Sequence, residues 1–132
     1  MMEEARLANV DERQIETLVD GSIFVQKTAK MFLTSVHEQD SQHDAWAILE
    51  RLYELMFTQF ELEESIMTEA GYFLYEHKND HDEIKSNLAE LIEGEQDSFV
   101  IIRKFAEIIS DWLTHHVAED DLLLWKHLQR LS

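Results

Sequence analysis

LERLYELMFTQFELEESIMTEA, residues 49–70, is the stretch on which the fold turns. Its inward positions recur at spacings of three and four: Leu49, Leu52, Met56, Gln59, Glu63, Ile66 and Ala70. That rhythm puts one stripe along one side of an α-helix, and an apolar stripe must be buried against something. Two of its members, Gln59 and Glu63, are polar. A helix carrying them on its core side needs other polar groups opposite, because an unpartnered buried carboxylate costs several kcal/mol.

The same rhythm recurs on both sides of this helix. Segment 11–36, with Asp11 available as an N-cap, carries Gln14, Leu18, Gly21, Val25, Thr28 and Phe32. The polar run HEQDSQHD, 37–44, reads as a connection that offers Ser41 or Asp44 as the next cap. The second helix is expected from about Asp44 to Ala70, stopped by Gly71. A third runs from about Phe73 to Glu93, stopped by Gly94, with His77, His81, Ile84, Leu88 and Leu91 in phase. The fourth runs from near Asp97 to about Glu119 with Ile102, Phe105, Ile109, Trp112 and His116 in phase, and DLLLWKHLQRLS follows as a short C-terminal segment folding back. Four such helices on short connections predict an all-α, antiparallel up-down-up-down four-helix bundle, one domain over residues 1–132.

In that topology the polar intrusions coincide. Gln14 lies early in helix one, Gln59 and Glu63 late in helix two, His77 and His81 early in helix three, and His116 late in helix four. Alternating helix directions bring all six to one end of the core. The spacing HKNDH, 77–81, sets two imidazoles on one helix face within reach of a single ion. In phase with Glu63 and His116, the pair reads as a metal site; without an ion, the same residues would form a buried hydrogen-bonded network. An imidazole and carboxylate donor set favours iron or manganese, with zinc next. His116 continues the Phe105–Ile109–Trp112 stripe, whereas His115 falls toward the rim, and His37, His43 and His127 belong to the other end or the tail. Among the acids that follow, periodicity favours Asp120, four residues after His116; Asp121 requires the helix to bulge or end there.

Composition bounds the rest. No proline and only three glycines in 132 residues agree with a chain that is mostly helix. The absence of cysteine excludes disulfides, zinc–thiolate sites and cysteine nucleophiles. A formal charge of −17 argues against nucleic acid and anionic membrane as partners and favours accumulation of cations. The opening MMEEARLANVDERQ has neither a basic start nor an apolar stretch of signal-peptide type, which makes the cytoplasm the expected location.

These motifs together resemble the hemerythrin family, four-helix bundles with a non-haem di-iron site that reversibly binds O2. VDERQIETL, QFELEESIM, HKNDH and WLTHHVAEDD match the family's four ligand-bearing segments, and the resemblance covers nearly the whole chain. It implies His77, His81, His116, Glu63 and Asp121 as metal ligands and Leu113 in the ligand pocket. It also marks a departure: glutamine occupies positions 14 and 59, where the family has the two histidines of its O2-binding iron. The three-histidine side is complete and the other side has lost both imidazoles.

The function expected is therefore that of a hemerythrin-like iron protein with one half of its di-iron site altered. One iron per chain is favoured and two remain possible. An open position at the metal suits O2 or NO binding, or redox sensing, in place of simple O2 carriage. Its immediate partner would be a small diatomic ligand or water, and a protein partner is left open. The competing readings are a two-metal protein with impaired O2 binding, a metal-free interaction bundle, and a mononuclear redox enzyme. No recognisable proton-donor set supports the last, so the chain is read as a non-enzyme.

Overall fold

The structure is a computed structural model that describes residues 12–38, 42–70, 75–116 and Lys126. Four α-helices follow in order: α1 Glu12–His37, α2 Gln42–Ala70, α3 Tyr75–Gly94 and α4 Ser98–Trp112. They form an all-α, antiparallel four-helix bundle. α1 packs on α2 and α4, and α3 packs on α4 and α2, so chain neighbours are spatial neighbours and α1–α4 contacts close the ring. No strand occurs among the described residues, and none of their helices is long and apolar enough to cross a membrane.

The described buried positions follow the expected stripes in α2, α3 and α4, except that Leu91 is only half-buried. All four helices feed one core: Val25, Ala29 and Phe32 from α1; Leu49, Leu52, Met56 and Phe60 from α2; Ile84 and Leu88 from α3; Ile101, Ile102, Phe105, Ile109 and Trp112 from α4. Phe32 meets Phe105 edge-on with ring centroids 5.5 Å apart, the favourable geometry for two aromatic quadrupoles. At the start of α4, Asp97 accepts a hydrogen bond from the Phe99 backbone N–H at 2.9 Å, an N-cap worth about 1 kcal/mol.

α1 differs from expectation by a fraction of a turn. Its buried side chains are Ile15, Leu18, Ser22, Val25, Thr28, Ala29, Phe32 and Ser35. Ile15, not Gln14, points inward at the first turn, and Gln14 is half-buried on the flank facing α2. The far end of α4 also differs: residues 113–116 form a π-helical turn rather than continuing the α-helix. The turn begins with the Leu113 backbone N–H shared between the carbonyls of Ile109 and Ser110. The C-terminal segment expected to fold back lies outside the described residues, apart from an exposed Lys126.

Candidate metal centre

At the end of the core where α2 finishes and α3 begins, the apolar packing gives way to a polar cluster. The helical repeat puts Glu63 on the inner face of α2, and the four-residue spacing puts His77 and His81 on the inner face of α3. The π-helical turn delivers His116 from the end of α4. Turns of this kind insert an extra residue into the helical circuit and recur where a helix must re-aim a functional side chain. His116 is buried, while its neighbour His115 is exposed.

The donor atoms converge. His77 Nε2 lies 2.8 Å from Glu63 Oε1, His81 Nε2 lies 3.4 Å from the same oxygen, and His81 Nε2 lies 3.2 Å from His116 Nε2. One donor from each of the four residues falls within 4.8 Å of every other. Their burial is nearly complete, with 1% of Glu63, 2% of His77, 0% of His81 and 6% of His116 accessible. The rings brace one another: His77 meets His81 edge-on at 4.5 Å, and Phe60 stacks on His81 at 4.1 Å with an interplanar angle of 15°.

The donor set fits a divalent transition ion. Donor atoms about 2.0–2.1 Å from an ion stand about 2.8–3.0 Å apart along an octahedral edge and about 3.3–3.4 Å apart along a tetrahedral one. The closest separations, 2.8, 3.2 and 3.4 Å, fall in that span, and all four donors lie within 4.8 Å of one another. Three imidazoles and a carboxylate, gathered out of water in a chain with no cysteine, can hold such an ion.

A second layer surrounds the cluster. His81 Nδ1 lies 3.0 Å from Glu64 Oε2. Lys78 Nζ stands 3.5 Å from Glu64 and 2.9 Å from Asp82. The hydrogen bond to Asp82 holds the Lys78 ammonium above its ordinary range, and the same bond holds the Asp82 carboxyl below its own. Outside His116 opens a groove of about 550 Å³ between α3 and α4, whose lining includes Asp80, Glu83, Glu107, Asp111 and His115. Its carboxylates favour the approach of cations to the buried end.

The remaining expected positions separate. Leu113 is half-buried at the start of the π-helical turn, and Asp120 and Asp121 lie outside the described residues. Gln59 is buried, but its Nε2 donates to the Leu18 carbonyl across the α1–α2 interface at 2.9 Å. Its Oε1 occupies the space that a Cβ at Gly21 would need; the absence of a side chain on α1 at this point lets the amide approach. Gln14 donates from Nε2 to Glu69 Oε2 at 2.9 Å, on the exposed side of the same interface. Both amides therefore engage α1–α2 contacts, which corrects the expectation that Gln14 lines the inner core beside Glu63.

Two neighbours of the centre escaped sequence reasoning. Phe60 sits one residue past the Gln59 position of the stripe. Glu64 follows a core carboxylate and reads as its solvated neighbour, although the EE doublet places a second acid against α3 once the bundle is closed. The chain matches no protein-family model, and no significant match to it was found among curated proteins or solved structures.

Proposed function

We propose that the chain is a hemerythrin-like iron-binding protein with a single occupied metal position. The observation carrying this reading is the convergence of His77, His81, His116 and Glu63 on one buried point, in the sequence contexts that resemble the family's three-histidine half-site. Asp121 is proposed as the fifth ligand. The resemblance to the family's closing motif in WLTHHVAEDD, rather than helical periodicity, favours it over Asp120.

The engagement of both glutamines favours one ion over two. A second ion beside Glu63 would need Gln59 to leave the Leu18 carbonyl and Gln14 to leave Glu69, in exchange for amide oxygens that bind iron poorly beside imidazole. With Asp121 as a fifth ligand, an ion held there would keep room for one small ligand. An iron ion held there would supply coordination of NO or O2. The protein's part is to hold the donors apart from bulk water, with Phe60 and Trp112 packed around them. Binding or sensing of a diatomic ligand follows, rather than O2 carriage drawing electrons from two irons.

A metal-free reading has one observation in its favour: 2.8 and 3.2 Å are also good hydrogen-bond lengths. Anaerobic titration of the ferrous-loaded protein with NO, followed by electron paramagnetic resonance, tests the proposal. About one NO-responsive iron per chain is expected. A protein that retains no iron supports the hydrogen-bonded network, and iron that ignores NO contradicts an open position.

A further inference from the structure

We infer that Glu64 is a positioning residue of the centre, acting through His81; the inference rests on the metal-binding reading above. An ionised carboxylate can only accept hydrogen bonds. The 3.0 Å contact between Glu64 Oε2 and His81 Nδ1 therefore puts a proton on Nδ1, which makes Nε2 the ring's ligating nitrogen. That is the atom facing Glu63 and His116. Carboxylates placed behind ligating imidazoles fix the tautomer, orient the ring and raise its basicity, and their removal typically weakens metal binding 10–100-fold.

The surroundings of Glu64 suit this task. Its side chain is 19% exposed, with Lys78 Nζ 3.5 Å from Oε1 and Lys85 Nζ 3.9 Å from Oε2. Lys78 is in turn fixed by Asp82. The carboxylate is thus steadied from the solvent side while it holds the imidazole from behind. Phe60 sets the ring plane by stacking at 4.1 Å, and Glu64 sets its rotation within that plane. On the α4 side, the Asp80 carboxylate, 47% exposed, stands 3.7 Å from His116 Nδ1.

The test uses the 132-residue chain with Zn²⁺ as a diamagnetic probe. Competition titration should give Glu64→Ala a Kd about 10–100-fold weaker than wild type, and Glu64→Gln, which keeps an acceptor oxygen, should recover most of the loss. Glu61→Ala removes the same charge from an exposed site on α2 and should leave the Kd within about twofold. Nitrogen-15 NMR, with and without Zn²⁺, should find a slowly exchanging proton on His81 Nδ1 in the wild type and in Glu64→Gln but not in Glu64→Ala. Equal losses in Glu64→Ala and Glu61→Ala, or a bare Nδ1 in the wild type, overturn the inference. A wild type that binds no metal refutes the metal-binding reading instead, and the Nδ1 proton of the metal-free protein then decides the role of Glu64.

Discussion

Replacing His81 with alanine probes the cluster at its most connected point. The ring is fully buried and touches Glu63, Glu64, His116 and Phe60. Truncation strips Phe60 of its stacking partner and leaves two carboxylates facing a void. Breaking a buried charged network by removing one member costs about 3–5 kcal/mol. For a chain of this size, where 1 kcal/mol corresponds to about 3–5 °C, Tm should fall by about 10–20 °C. The metal adds to the difference: an ion present at a hundredfold excess over Kd stabilises the wild type by about 2.7 kcal/mol, which a variant unable to bind it forgoes. His115→Ala is the control, one residue from a proposed ligand yet exposed, and should stay within about 0.5 kcal/mol of wild type. Thermal unfolding by circular dichroism, with and without Zn²⁺, gives both comparisons. If His115→Ala lowers Tm and abolishes the zinc response while His81→Ala does neither, the helix phase is wrong and the cluster is not the metal site.

Gly21→Ala should destabilise the protein by about 1–3 kcal/mol, since Gln59 occupies the space of the new methyl group; in Gln59→Ala the same change should cost much less, and equal costs in both backgrounds of a double-mutant cycle would contradict the contact. Asp121→Ala should weaken metal binding about 10–100-fold, as loss of a ligand or of its immediate support does, while Asp120→Ala should not; equilibrium dialysis against ferrous iron distinguishes them. Metal should be released as pH falls through the imidazole range, about 6.5 for an ordinary histidine, because the ligands must shed protons to bind; retention below pH 4 would speak against histidine ligation. The folded Asp82 carboxyl is held low by Lys78, so the contribution of this pair is present above the ordinary carboxylate range and is lost as pH falls through the lowered value. Because the pair is exposed, that contribution is small, and Asp82→Asn should change Tm by less than about 2 °C at pH 7; a larger loss at pH 7 that disappears at pH 3 would contradict this.

The polar end of the core was legible because α2 and α3 keep strict phase: Leu49, Leu52, Met56, Gln59 and Glu63 lead to one end of the bundle, and His77 and His81 open the neighbouring helix there. Antiparallel topology then aligned the clusters without any knowledge of contacts. The phase of α1 was not so well determined. Gln14, Leu18, Gly21, Val25 and Ile15, Leu18, Ser22, Val25 both obey three-four spacing, and a glycine in the stripe has no side chain to break the tie. Packing broke it, since Ile15 gains more from burial than Gln14, whose amide finds Glu69 at the surface. Periodicity places Glu64 on the flank of α2, and only the approach of α3 turns that flank into the wall behind His81. The π-helical turn was unreadable for a related reason, since a stripe counted at 3.6 residues per turn assumes the regular geometry that residues 113–116 abandon.

We propose that one buried point, the cluster of Glu63, His77, His81 and His116, holds a single metal ion. Elemental analysis of protein reconstituted anaerobically with excess ferrous iron and then desalted measures this directly. About one iron per chain is expected, falling to near zero in His81→Ala and unchanged in His115→Ala. Two irons per chain, or none in the wild type, would contradict it.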